Sequence, residues 1–395
     1  MTNNTRFVSG DEAIAMGARL ARPNVISAYP ITPQTIVVER LSDYIENKSL
    51  DAEFLHVESE HTAMAAAMGV SSIGARAFTA TSSQGLLHMA ECLHYASGAR
   101  FPIVMMNANR SLAVPWSIYG DQRDSLGLLD SGWIQVYCED AQEALDMIIQ
   151  AYKIAENPEV LTPFMVNIDG FVLTHTYEPI ELPEQELVDG FLPKYETLNK
   201  MSFEEPKSLC FSTSPEDNQE FKYMQDMAIL KSIDVIEKTD REYGDIFGRY
   251  YYGMTENYKC EDADAVIVTL GSVCGTVRTV IDQMRDEGYK VGLLKIRYMR
   301  PFPIEDIRDI ALKVSNLGVL EKNISFGYEG TVYTNVNSAL SGLDLKIKTK
   351  NYVGGFGGRD ISKEDIREIY IDMIENESFN NRVEYIGKEC EYNEL

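Results

Sequence analysis

The chain reads as an α/β protein built on parallel sheets, and three observations carry that reading. Short β-rich runs alternate with helical runs through the first 170 residues, and such alternation implies a parallel sheet with helices on both faces. The same alternation resumes near residue 264. The 395 residues are 45% hydrophobic and 25% charged, the balance of a cored globular protein long enough for two or three domains.

The elements follow in order. Val25-Ile26-Ser27-Ala28-Tyr29 runs into Pro30, so a strand closes in a rigid turn. SEHTAMAAAMG (59–69) opens with a capping serine and continues through helix formers. Arg76-Ala77-Phe78-Thr79-Ala80 is a second strand, and the loop TSSQG (81–85) feeds a helix LLHMAECLHYA. Pro102-Ile103-Val104-Met105-Met106 is a third strand, EALDMIIQAYKIAEN (143–157) has helical spacing, and PFMVNIDG (163–170) is a fourth strand. Residues 171–260 break the rhythm. Pro179, Pro183 and Pro193 punctuate an irregular segment, and SPEDNQEF starts a long charged helix to about residue 241. The tyrosine-rich end Arg249-Tyr250-Tyr251-Tyr252 is expected to pack on a neighbour. The second unit holds a strand-then-turn DAVIVTLGS (264–272), a helix TVRTVIDQMRDEG, and a single strand YKVGLLKIRYMRPFP stopped by proline. VSNLGVLEKN and YVGGFGGRDISKEDIREIY repeat the pattern, the glycine cluster being a strand-to-turn feature.

Composition excludes several classes. Lys and Arg total 36 against 61 Asp and Glu, a net charge of −25, which suits docking to basic partners and argues against nucleic-acid binding. No run approaches the ~20 continuous apolar residues of a membrane helix. Asp11 and Glu12 stand where an export signal needs an apolar run, so a cytoplasmic protein is expected. Cys92, Cys138, Cys210, Cys260, Cys274 and Cys390 are scattered without a CxxC pair. That argues against a disulfide framework, a zinc ribbon or an iron–sulfur cluster held by this chain alone. A P-loop, a GxGxxG fingerprint and a GxSxG elbow are all missing. In HVESEH, a metal would need His56, Glu58, Glu60 and His61 to converge. A strand followed by a helix start sends neighbours in different directions, so no metal is expected there.

Three segments carry chemistry. AYPITPQT (28–35) ends a strand in a turn locked by two prolines. Ligands of open parallel sheets collect at such carboxyl ends, so Thr32 either offers its hydroxyl to one or caps the next helix. Glu60 stands at a helix start, where the dipole stabilises its anion. Arg110, in ANRSLAVPWSIYGDQRDS (108–125), follows the third strand. Its planar fork suits a carboxylate ligand, and the alternative is a salt bridge to Asp121 or Asp124. Together these place a Thr, a Glu and an Arg along one rim, a site for an anionic substrate.

Beyond this reading, YPITPQT, ESEHTAMAAAMG, FTATSSQGL, NRSL, GDQRDS with DSGWIQVY, VNIDGF, VTLGSVCGT, VGLLKIRYMRPFP and YVGGFGGRDI resemble the alpha subunit of 2-oxoacid:ferredoxin oxidoreductases. The match spans nearly the whole chain in order and is weakest over 195–260. The resemblance implies a thiamine-diphosphate-binding, pyrimidine-type parallel-sheet domain at 1–258, with a linker excursion from about 195. A transketolase C-terminal-like α/β domain follows at 259–395. It implies oxidative decarboxylation of a 2-oxoacid, pyruvate first, to acyl-coenzyme A and carbon dioxide with ferredoxin reduction, or the reverse. The family's glutamate falls on Glu60 and bonds the aminopyrimidine ring, favouring the imino tautomer that takes the thiazolium proton. Pro30 and Ile31 lie beside the cofactor, while Thr32, Arg110 and Tyr29 meet the 2-oxoacid. A beta subunit holds the diphosphate and its Mg2+, in keeping with the lack of a GDG motif here. The 4Fe–4S clusters sit on partner subunits of beta, gamma and delta type. Trp116, Tyr119 and Arg123 follow Arg110 in a loop that varies within the family, so branched-chain, aryl or other 2-oxoacids stay open. So do a thiamine enzyme passing its acyl group to another acceptor and a non-catalytic assembly subunit.

Overall fold

The computed structural model describes residues 4–204, 206–209, 211–344, 346–376 and 383–389. Cys210 and Cys390 lie outside them, and Cys92, Cys138, Cys260 and Cys274 are buried free thiols. No helix among the described residues is long and apolar enough to cross a membrane.

The first sheet has seven strands. Their spatial order is Tyr298–Arg300, Ile134–Tyr137, Phe164–Asp169, Val104–Asn109, Ala77–Thr81, Val25–Ala28 and Glu53–His56. All pairs are parallel except the edge strand Tyr298–Arg300, which runs antiparallel. Alternate residues of one strand serve opposite faces. Val104 and Met106 join the core under the helices Gly10–Ala21 and Ala141–Ala155, while Met105 joins another with Met64, Leu93 and Trp133. This two-sided burial is why the central strands read as continuous apolar runs.

The second sheet orders Val383–Tyr385, Lys348–Val353, Asn316–Glu321, Ala265–Thr269, Val291–Ile296 and Thr255–Tyr258, the last antiparallel. Ala265 and Ile267 pack on one face, Val266 and Val268 on the other. A two-stranded antiparallel ribbon, Thr5–Ser9 with Tyr177–Glu181, completes the sheets.

Several expectations need correction. The expected strand through residues 289–303 is two strands in different sheets. Between them the fully buried Arg297 donates to Glu143 at 2.7 Å and to the Gly253 carbonyl at 2.6 Å, and that anchoring redirects the chain. The helix expected over LLHMAECLHYA is two, Ser83–His88 and Ala90–Gly98, meeting at the fully buried Met89. The tyrosine-rich segment packs within this chain: Arg249 and Tyr251 both bond the buried Asp146, each at 2.6 Å. Thr255–Tyr258 belongs to the second sheet and Tyr298–Arg300 to the first.

Candidate active site

Val25–Ala28 and Ala77–Thr81 are neighbours in the sheet, yet the strand between them in sequence, Glu53–His56, lies on the outer edge. The chain therefore changes direction there, and the crevice outside their carboxyl ends is where such sheets bind ligands. The loops after four strands converge on it: residues 29–34, 57–60, 82–84 and 110–124.

In the first loop Tyr29, Pro30 and Thr32 are exposed and Ile31 is half-buried. Buried Gln34 donates from Nε2 to the Tyr29 carbonyl at 2.8 Å and the Ala80 carbonyl at 3.3 Å, stitching the two strand ends together. Sequence reasoning missed Gln34; its signal was a polar residue inside the proline-locked motif. Thr32 does not cap the next helix, Thr35–Glu46, whose cap is Gln34 without a side-chain bond.

Arg110 is only 4% exposed. Its Nη1 donates to the Thr32 carbonyl at 2.6 Å and its Nη2 to Gln84 Oε1 at 3.2 Å. Its Nε is buried without a hydrogen-bond partner, a donor that suits an acceptor the chain does not supply. The salt-bridge alternative is not realised. Asp121 pairs with Arg123 at 3.0 Å. Asp124 accepts from the backbone amides of Ser83, Arg110 and Ser125 and the side-chain amides of Asn107 and Asn109. Burial lowers the guanidinium's proton affinity, with Asp124 and then Glu60 opposing it. The Trp116 ring centre lies 5.9 Å from the guanidinium.

Glu60 opens the helix Glu60–Ser72 behind a Ser59 cap that accepts from the Thr62 amide, so helix dipole and cap both favour its placement. It is 9% exposed. Its Oε2 meets His88 Nδ1 at 3.1 Å. Its other oxygen, Oε1, lies over Gly85, where an added Cβ would come within 2.7 Å of both Oε1 and Thr81 Oγ1. The Thr81 hydroxyl is buried without a partner. The Glu60 carboxylate and the unpartnered Thr81 hydroxyl suit the polar edge of a planar ring, and Gly85 keeps a side chain from pressing on them. The site thus pairs a cation with a free donor and a carboxylate able to hold a proton. Gln84 and His88 are further site residues outside the sequence reading; both follow Ser83 in the SSQGLLH run.

The His-Glu cluster does not converge. The His56 ring sits 4.9 Å from that of Phe54, Glu58 accepts from the Thr62 hydroxyl at 2.9 Å, and His61 meets Cys92 at 3.5 Å. Among the described residues no group of three or more His, Cys, Asp or Glu could hold a metal ion.

Comparison with known proteins adds independent findings. Residues 16–241 match the family described as "Pyruvate flavodoxin/ferredoxin oxidoreductase, thiamine diP-bdg", and residues 263–366 match "Pyruvate:ferredoxin oxidoreductase core domain II". The chain is 46% identical over 364 residues to the pyruvate synthase subunit PorA of Methanothermobacter thermautotrophicus, covering 92% of this chain and 94% of that one. It is 44% identical over 384 residues to the ketoisovalerate oxidoreductase subunit VorA of Pyrococcus horikoshii, covering 96% and 97%. Among solved structures, a 2-oxoglutarate:ferredoxin oxidoreductase from Magnetococcus marinus, with 2-oxoglutarate, coenzyme A and succinyl-CoA bound, superposes with a TM-score of 0.75 at 21% identity. The match covers 94% of this chain and 66% of that one. A split-gene transketolase, an inactive beta4 tetramer, gives a TM-score of 0.54 at 13% identity over 93% of this chain and 98% of its own. At such identities these two structures speak for the fold.

Proposed function

The chain belongs to the 2-oxoacid:ferredoxin oxidoreductase family as an alpha subunit, and from that premise we propose which substrate it handles and with which residues. The reaction is oxidative decarboxylation of pyruvate to acetyl-coenzyme A and carbon dioxide with reduction of ferredoxin, or its reverse. The observation that carries the site assignment is the buried Arg110 guanidinium beside the switch point, with its Nε unpartnered. Arg110 binds the 2-oxoacid carboxylate, the Thr32 hydroxyl and Tyr29 line the same wall, and Pro30 and Ile31 shape the floor toward the cofactor. Glu60 holds the aminopyrimidine edge, and Gly85 keeps a side chain from pressing on that carboxylate.

Thiamine diphosphate, when bound, supplies the nucleophilic carbon that attacks the 2-oxo group and stores the electron pair left by carbon dioxide. This chain's own residues position groups and move a proton. Arg110 orients the carboxylate and Glu60 exchanges a proton with the ring. The unit of the seven-stranded sheet supplies the pyrimidine side, and the unit of the six-stranded sheet buttresses it. A beta-type subunit supplies the diphosphate and Mg2+ site, and the 4Fe–4S clusters sit on beta-, gamma- or delta-type partners. That division agrees with buried cysteines placed singly here.

Relatives named for pyruvate and for ketoisovalerate match at 46% and 44% identity, so the choice of substrate rests on the site. At the site, the Trp116 ring stands 5.9 Å from the Arg110 guanidinium and is largely exposed, and pyruvate is the first choice ahead of branched-chain, aryl or other 2-oxoacids. A panel of 2-oxoacids on the purified complex, with coenzyme A and ferredoxin, tests this. Pyruvate should give the highest kcat/KM; a tenfold preference for 2-oxoisovalerate would overturn the assignment.

A further inference from the structure

Glu60 is 9% exposed and Arg110, which faces it electrostatically, is 4% exposed. A proton arriving at or leaving Glu60 therefore needs another group to reach water. His88 ends the helix Ser83–His88. Its Nδ1 lies 3.1 Å from Glu60 Oε2 while its side chain is 55% exposed. One ring thus touches the buried carboxylate and bulk water at once. The two carboxylate oxygens are divided between tasks, Oε2 toward His88 and Oε1 over Gly85.

We propose that His88 carries the Glu60 proton to and from solvent, a positioning and relay residue acting through Glu60. This rests on the reading of Glu60 as the group that bonds the cofactor ring. Some such path is needed by the stoichiometry. One 2-oxoacid anion, one thiol and two oxidised one-electron acceptors give one thioester, one carbon dioxide, two reduced acceptors and one proton. When that proton makes Glu60 the carboxylic acid and rotation of the carboxyl group brings the O–H to the His88 side, that O–H bond breaks and an Nδ1–H bond forms. The imidazolium then releases its Nε2 proton to water, and no electrons move. Imidazole is suited to the task because its charge changes near neutral pH. His61, on the Glu60 helix, has its ring centre 6.2 Å from that of His88 and meets Glu91 at 3.6 Å and Cys92 at 3.5 Å. Arg110 acts on Glu60 from the substrate side.

The test uses the complete enzyme complex with His88→Gln, His88→Ala and Glu60→Gln. Glutamine keeps a donor for Oε2 but cannot pass a proton on. His88→Gln should therefore bind thiamine diphosphate within about threefold of the unaltered complex while turnover falls roughly 10²-fold, the lower end for a lost proton-transfer group. Added imidazole should partly restore turnover in His88→Ala. Unchanged turnover in His88→Gln would overturn the relay. So would weakened cofactor binding in both His88 variants without imidazole rescue, which leaves Glu60 in place. Normal turnover in Glu60→Gln would defeat the reading of Glu60 and the relay together.

Discussion

At the scale of single residues, the site is governed by one buried cation and the carboxylates near it. Arg110 spends two of its nitrogens on Thr32 and Gln84 and keeps Nε without a protein partner. Losing a hydrogen bond to a charged group costs ~1.5–3 kcal/mol. At ~1.4 kcal/mol per factor of ten, Arg110→Met should raise KM for the 2-oxoacid about 10–150-fold, and Arg110→Lys should recover only part because a point charge lacks the fork. Steady-state kinetics and a melting curve on one preparation check this; an unchanged KM with a lowered Tm would make Arg110 structural. Asp124 sets a pH limit on the same site. Burial pushes its carboxyl from the ordinary 3.8 up to about 6, against the hydrogen bonds it accepts. Because the folded value lies above the unfolded one, this group's linkage favours the fold as pH falls through that window. The cost appears instead in function: protonated Asp124 cannot accept fully from the Ser83 and Arg110 amides. KM for the 2-oxoacid should rise as pH drops below about 6, and Asp124→Asn should show a raised KM without that slope.

At the scale of elements, the helix Ser83–His88 matters for what it brings near Glu60. Gly85 lets it approach, since a Cβ there would lie 2.7 Å from Glu60 Oε1. In an open helix, Gly to Ala gains about 1 kcal/mol. Here Gly85→Ala should leave Tm within a few degrees and weaken thiamine diphosphate binding at least tenfold, because Glu60 must move from its place. Calorimetric titration of the cofactor into the complex measures it; binding at normal affinity would show that Glu60 has room to spare. How legible the elements were depended on how local their determinants are. The Ser59 cap and the runs around Val25, Phe78 and Val104 carry their periodicity within a few residues. The split between Val291–Ile296 and Tyr298–Arg300 does not, because it is made by Arg297 reaching Glu143 across 154 positions.

For the molecule as a whole, the two sheets are tied by buried charge and by meeting carboxyl ends. Glu143 accepts from Lys295 at 2.9 Å and Arg297 at 2.7 Å, and Lys295 also meets Glu139 at 2.9 Å. Asp169, ending a strand of the first sheet, bonds the Ser272 amide at 2.9 Å and Lys322 at 3.2 Å from the second. Removing one member of a buried ion pair typically costs about 3–5 kcal/mol, so Glu143→Gln should lower Tm markedly. Although burial alone would raise its pKa, the two cations hold the Glu143 carboxyl down to about 2 against an ordinary 4.5. A depressed carboxylate gives stability that is present above pH ~4.5 and lost as pH falls toward 2. Thermal melts across that range should show a steeper acid loss in the unaltered protein than in Glu143→Gln, and parallel slopes would remove Glu143 from the acid response. By itself the sequence determined the α/β class, the order of most elements, and Tyr29–Thr32, Glu60 and Arg110 as residues at strand ends and a helix start. Strand and helix periods, caps and prolines act over a handful of residues and so are written locally. Only the tertiary structure decided that Arg110 meets Thr32 and Gln84 instead of an aspartate, that His88 reaches Glu60, and that Asp124 ties Ser83 to the end of the strand Val104–Asn109. Those contacts join residues far apart in the chain, and their partners are chosen by strand order and crossover packing, which no local period encodes.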